Sequence, residues 1–288
     1  MLSVRVALLF IDGVGIGARN PESNPLARAE HLLSQFDDGS GAALPHGGQL
    51  LALDATFGVT GRPQSATNQT ALYTGEPAPR LLGKHLLGYP NAALSELIAA
   101  KSIVKRLAAA GRSASFVNAF PAIYFELVGK VRHFKPSAST LAFRAGEVAL
   151  RTFPDGLPAD IDGARARRRG FELPSRTAAE AAEVFWRCAG DFTLFEHFAA
   201  DEAAHERDAA SVEQALSTFD AFARAVIETR PPDVQVLVTS DHGNAEDLST
   251  RSHTLAKVPL LSFGGEAPQG LHNVADVGRY VVAKMGVE

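Results

Sequence analysis

Asp241 and His242 stand side by side at the end of an apolar, β-branched run, Val234–Val238. A carboxylate and an imidazole held where a buried strand gives way to a loop are well placed to turn toward one cation. Gly243, next to them, is free to adopt a positive φ. His253 follows on a short return loop before a second apolar run, Val258–Phe263. The arrangement recurs twice more. Val4–Ile11 reads as a buried strand ending at Asp12-Gly13, and Phe192–Phe198 is followed by Asp201 and His205. Residues four apart share a face of a helix, so Asp201 and His205 can grip one ion. A lone Asp-His pair is more often a polar turn. Asp12, Asp201, Asp241 and His242, all just past strand ends, carry more weight together.

A hydroxyl is placed differently. In Gly61-Arg62-Pro63-Gln64-Ser65-Ala66-Thr67-Asn68-Gln69, glycine and proline precede a serine, and a helical stretch then runs to Gly75. Ser65 at the helix N-terminus has two readings. It is an N-cap, worth about 1 kcal/mol, or it is a nucleophile whose alkoxide and attacked phosphate both gain from the helix dipole and free N–H groups.

The elements that must position these groups alternate. Between the strands lie helical patterns at Ala92–Ala110, Thr177 to about Ala189 (opened by the capping box Thr177-Ala178-Ala179-Glu180), Arg207–Thr229, and Asn273 to about Met285. Ser113–Ala119 fits a further strand. Alternation of this kind predicts an α/β fold with a mainly parallel sheet sandwiched by helices, ligands binding beyond the carboxyl ends of the strands. The pattern degrades between 122 and 174, where Pro136, Pro154, Pro158 and the basic run Arg165–Arg169 fall. That stretch is expected to be a small insert or cap on a domain formed by 1–121 and 175–288. The glycines of Asp12-Gly13-Val14-Gly15-Ile16-Gly17 are spaced G-x-G-x-G, which does not fit a dinucleotide-binding turn.

With 288 residues, 46% hydrophobic and 21% charged, the chain can bury a large core. A net charge of −4 offers no general attraction for nucleic acid or anionic lipid, and a small anionic substrate needs a locally positive site, which bound metal supplies. The N-terminal apolar run is too short to span a bilayer. One cysteine, Cys188, precludes an intrachain disulfide and suits a reducing cytoplasm, so a cytoplasmic protein without membrane or nucleic-acid partners is expected. His31, His46, His85, His133, His197 and His272 lack companions at ligand spacing and read as surface or packing residues.

Ile11-Asp12-Gly13, the D-x-x-x-H of Asp201 and His205, Asp241-His242-Gly243-Asn244, and His253-Thr254 before Val258-Pro259-Leu260 together resemble the alkaline phosphatase superfamily, especially its branch of cofactor-independent phosphoglycerate mutases and phosphopentomutases. The Ser65 helix, closing on Leu72-Tyr73-Thr74-Gly75, is similar to the nucleophile helix of that superfamily's sulfatases and phosphodiesterases. The resemblance implies Ser65 as nucleophile with Thr67 in reserve, and Asn68 as a residue that helps hold the phosphate. Gln69 departs from the arginine of the sulfatase pattern. The resemblance further implies two divalent ions, one on Asp12, Asp241, His242 and the Ser65 oxygen, the other on Asp201, His205 and His253. Mixed carboxylate and imidazole ligands suit Mn²⁺ or Zn²⁺, and a pair of ions can stabilise both attacking and leaving oxygens of a phosphoryl transfer. A small phosphorylated substrate is thus expected. The mutases of this group are considerably longer, so hydrolysis of phosphate esters through a phosphoserine is the expected reaction, with phosphomutase activity, or a non-catalytic metal-stabilised binding protein, as the alternatives.

Overall fold

The computed structural model describes residues 4–132 and 134–287; His133 and the first three residues of the N-terminal run lie outside them. In chain order the elements are β1 (Arg5–Ile11), β2 (Gln49–Leu53), α1 (Ser65–Thr74), α2 (Ala78–Leu82), α3 (Ala92–Lys101), α4 (Ile103–Ala109), β3 (Ala114–Phe116), β4 (Ala119–Phe120), α5 (Ala122–Leu127), α6 (Ala138–Ala145), β5 (Arg151–Thr152), α7 (Ala164–Arg168), α8 (Ala178–Arg187), β6 (Phe192–His197), α9 (Ala199–Glu206), α10 (Ala209–Glu228), β7 (Val234–Thr239), β8 (Val258–Phe263) and α11 (Val274–Lys284).

Six strands form one sheet in the order β2-β8-β7-β1-β6-β3. β7, β1, β6 and β3 are parallel, and β8 and β2 extend the sheet antiparallel to their neighbours. The alternation of side chains along β1 divides the core. Val6, Leu8 and Phe10 pack into a layer with α1, α3, α4 and α11, whereas Ala7, Leu9 and Ile11 pack into a layer with α8 and α10. A strand covered on both faces has no polar positions to alternate, which is why β1, β6 and β7 read as near-continuous apolar runs. The fold is α/β with a mostly parallel central sheet between helices.

Three local expectations change. Ala92–Ala110 is two helices, because Ser102 takes φ −48° and ψ 129°, donates to the Ala142 carbonyl and caps α4. The long amphipathic helix starts at Ala209, since Arg207 is left-handed (φ 57°) and ends α9. Ser113–Ala119 shortens to β3, after which the chain leaves the sheet to form β4. The capping boxes at Thr177 and Asn273 are made as their sequences require.

Candidate metal centre

β1, β6 and β7 lie side by side in parallel, so their carboxyl ends open at one edge. Asp12 follows β1, Asp201 and His205 sit on α9 just after β6, and Asp241 and His242 follow β7. Two glycines let these turns close. Gly13 has φ +72°, a conformation that L side chains rarely adopt, and a Cβ there would run into the Asp201 carboxylate. Gly243 is not left-handed; it is needed for space, because a Cβ would meet Glu246 and Thr254. The Glu246 carboxylate ties these turns together by accepting from the backbone N–H groups of Gly15 and Asn244 at 2.9 and 2.8 Å.

The seven expected ligands converge. His242 Nε2 lies 3.3 Å from Asp12 Oδ1, 3.5 Å from Asp241 Oδ2 and 2.9 Å from Ser65 Oγ. The His242 ring stacks on that of His253 with centroids 3.7 Å apart. His253 Nε2 is 3.1 Å from His205 Nε2 and 3.7 Å from Asp201 Oδ1, and His205 Nε2 is 3.3 Å from Asp201 Oδ2. Two groups offer ligand atoms within reach of one ion: Asp12, Asp241 and His242, and Asp201, His242 and His253. His242 belongs to both, so the two halves adjoin rather than stand apart.

Three observations test whether cations fit. Asp12 Oδ1, Asp241 Oδ1 and His242 Nδ1 are buried without a hydrogen-bond partner, and buried carboxylate oxygens are seldom left so. Next, Nδ1 of His253 donates to the Pro63 carbonyl and Nδ1 of His205 to that of Arg251. Each ring therefore presents an Nε2 lone pair when neutral, and the two face each other at 3.1 Å, an arrangement that needs a proton or a metal between them. Lastly, charge accumulates. Burial, then the charges of Asp241 and Asp201, push the Asp12 carboxyl well above its usual range. Burial alone would raise Asp201, but the His205 hydrogen bond, the His242 charge and Asn244 hold it below. The same Asp201 hydrogen bond lifts His205 to about 9, while burial and His242 lower His253 to about 4. The residues fit divalent cations, which favour carboxylate and imidazole donors and relieve carboxylate crowding.

Ser65 is the first residue of α1, and Gln64, not Ser65, occupies the N-cap position. The capping reading fails, and Oγ turns instead to His242. Thr67 is fully buried; its hydroxyl donates to the Gln64 carbonyl and accepts from the Leu86 N–H, which leaves it committed to the scaffold. Asn68 corrects an expectation. It is buried, and its amide nitrogen donates to the carbonyls of Ala55 and Asp241, both at 2.8 Å. With both donors used on backbone, Asn68 has none left to hold a phosphate; it fixes the Asp241 turn. Gln69, one residue on, faces the centre and donates to Asp12 and Asp241 at 3.4 and 3.1 Å.

Two further residues take part, Asn244 of the Asp241-His242-Gly243-Asn244 motif and Glu196, which the sequence does not single out. Asn244 donates to Asp201 Oδ1 at 2.7 Å. Glu196, on β6, points to the α1 side and accepts from the hydroxyls of Tyr73 and Ser139; burial raises it to about 7. A glutamate inside the apolar run of β6 was the available signal. Among the remaining described histidines, His31 and His197 are buried, His85 is half-buried, and His46 and His272 are exposed.

Residues 176–286, which include five of the seven ligand candidates, match the family described as the Metalloenzyme superfamily. Over that stretch the chain is similar to that superfamily. A phosphopentomutase from Vibrio vulnificus is 29% identical over 175 residues, 56% of this chain and 43% of the relative. A phosphopentomutase from Methylobacterium sp. is 36% identical over 90 residues, 30% of this chain and 22% of the relative. The matched stretch thus spans less than half the length of these curated relatives. Among solved structures, the PH0037 protein from Pyrococcus horikoshii superposes with a TM-score of 0.60 at 15% identity, covering 99% of this chain and 98% of the other. The alkaline phosphatase from the Antarctic bacterium TAB5 gives 0.56 at 14% identity with full coverage of both. At such identities the likeness is one of fold. No helix among the described residues is long and apolar enough to cross a membrane.

Proposed function

We propose that this metalloenzyme transfers a phosphoryl group of a small phosphate ester through Ser65, as a phosphomutase of the phosphopentomutase kind. The observation that carries the reading is the position of Ser65, at the N-terminus of α1 with Oγ 2.9 Å from His242 and beside Asp12 and Asp241. Asp12, Asp241, His242 and Ser65 would hold one divalent ion, and Asp201, His205 and His253 the other, Mn²⁺ or Zn²⁺ by donor type. Bound ions would lower the pKa of the serine hydroxyl and offset charge on the transferring group. The first N–H groups of α1, which have no intrahelical acceptor, face an incoming phosphate as an anion site. Ser65 Oγ attacks phosphorus, giving a phosphoserine as the ester oxygen departs. Gln69 orients the two carboxylates, and Asn68 and Asn244 hold Asp241 and Asp201 in place.

Residues 122–174 are proposed as a cap. Lys135, Arg165 and Arg169 line a cavity that also contains Asp12, Ser65 and Asp201, so positive side chains share the cavity with the acidic turns and favour an anionic substrate. Arg165 pairs with Glu202. The expectation of hydrolysis gives way to a mutase because the matched relatives are phosphopentomutases. Hydrolysis remains the second reading, favoured by the small size of the 122–174 segment. Turnover in isotopically labelled water separates the two: a mutase returns the phosphoryl group to substrate and leaves inorganic phosphate unlabelled, whereas labelled inorganic phosphate accumulating in step with turnover overturns the mutase reading. The lone Cys188 is consistent with the reducing cytoplasm proposed as its compartment.

A further inference from the structure

The cavity in front of Ser65 is about 500 Å³, within the range of roughly 300–1,000 Å³ that sizeable organic ligands occupy. Its outer wall is aromatic. Tyr89, Phe120, Tyr124, Phe134, Phe153 and Phe171 all line it. The rings form an array, with Phe120 stacked on Tyr124 at 4.2 Å and 19°, and Phe153 edge-on to Phe171 at 5.9 Å. Phe120, Tyr124, Phe153 and Phe171 are only half-buried, and the cavity is where their remaining faces are open.

A bare sugar phosphate is recognised through its hydroxyls, which call for donors and acceptors with capacity to spare. Most of the neutral polar side chains in this wall are already hydrogen-bonded within the protein. Asn118 uses its amide nitrogen and oxygen on the backbone carbonyl and N–H of Glu196. Gln69 spends its amide nitrogen on Asp12 and Asp241. The Tyr124 hydroxyl pairs with Thr140, and Ser137 donates to the same threonine and caps α6. The two outer carboxylates are also engaged, Glu202 by Arg165 and Asp160 by the Arg165 N–H. Apart from the Tyr89 hydroxyl and the Lys135 and Arg169 charges, what is left open is ring surface, which gains most by covering a flat apolar group.

The geometry points to a phosphate ester whose organic part carries a flat apolar group, for which an aryl phosphate monoester is the simplest probe, rather than a bare sugar phosphate. This rests on the reading above for the phosphoryl end. The test is binding, so that it does not depend on turnover. Ser65→Ala protein loaded with Mn²⁺ is titrated calorimetrically with 1-naphthyl phosphate, ribose 5-phosphate and inorganic phosphate. The naphthyl ester binds at least about tenfold more tightly than ribose 5-phosphate. Phe120→Leu and Phe171→Leu, added singly and confirmed folded by thermal melting, cut that preference to about threefold or less and leave inorganic phosphate binding unchanged. Equal or tighter binding of ribose 5-phosphate, or a preference that survives both leucine substitutions, overturns the inference. Selective naphthyl binding with no phosphoryl transfer by the unsubstituted enzyme leaves the inference standing and removes the proposed function. Transfer from ribose 5-phosphate coupled to its tighter binding does the reverse.

Discussion

Ser65 Oγ and His242 Nε2 are 2.9 Å apart although 177 residues separate them in the chain. The pairing requires α1 and the end of β7 to meet at one edge of the sheet, and Asn68 secures it by donating to the Asp241 carbonyl from the same helix. Substituting Ser65 by Ala removes the acceptor of the phosphoryl group. It is expected to lower kcat by at least about 10³-fold while leaving Mn²⁺ uptake and the melting temperature nearly intact. Thr67→Ala, whose hydroxyl serves only the scaffold, costs stability and far less rate. Steady-state kinetics with Mn²⁺ measure both, and a reversed order of the two variants would move the nucleophile to Thr67.

His205 titrates near 9 because Asp201 holds its proton. At pH 7 the metal-free protein therefore carries that proton, and a metal must displace it. Calorimetric titration of Mn²⁺ at pH 7 in buffers of different ionisation enthalpy is expected to show about one proton released from this site, with affinity rising as pH climbs toward 9. His205→Gln abolishes the release. Uptake without any proton displacement contradicts the assignment of His205 as a ligand.

Glu196 has its folded-state pKa raised from 4.5 to about 7 by burial. The folded protein then binds more protons than the unfolded chain between those values, so stability falls as pH rises through that window. The contribution of this one group amounts to about 3 kcal/mol. In the metal-free protein, Glu196→Gln mimics the protonated acid and is expected to flatten the decline between pH 5 and 8. Urea unfolding of both proteins across that range measures it; identical slopes would mean that Glu196 is not held neutral.

Arg169 lines the cavity beside the aromatic wall, and its charge adds to the field that draws in an anionic ester. Arg169→Ala is expected to raise KM about fivefold, near 1 kcal/mol, with kcat little changed and the effect shrinking as salt is added. A fall in kcat at constant KM would instead place Arg169 at the reacting group.

Much of the centre was legible because its residues obey one rule: a charged residue directly after a run of buried apolar ones has nowhere to go but the sheet edge. Asp12, Asp201, Asp241 and His242 all follow it. Residues whose role depends on side-chain direction were not legible. Asn68 and Gln69 are adjacent on α1, and a rotation of about 100° between neighbours turns one into the scaffold and the other toward the carboxylates. Glu196 lay hidden within a strand pattern, since nothing local reveals that Tyr73 and Ser139 arrive to satisfy it. The break at Ser102 was invisible for a similar reason, because the carbonyl that holds its hydroxyl belongs to Ala142. In the same way, the freedom of Gly243 to turn left-handed goes unused, whereas Gly13 takes that conformation.

The central claim is that Asp12, Asp241, His242 and Ser65 on one side, and Asp201, His205 and His253 on the other, hold a pair of cations. Crystals grown with Mn²⁺ and measured at a wavelength where manganese scatters anomalously test it most directly. The account predicts two anomalous peaks at this edge of the sheet, one within bonding distance of each set and the first also against Ser65 Oγ. A map with no peak there, or with Mn²⁺ bound only at surface carboxylates, would contradict it.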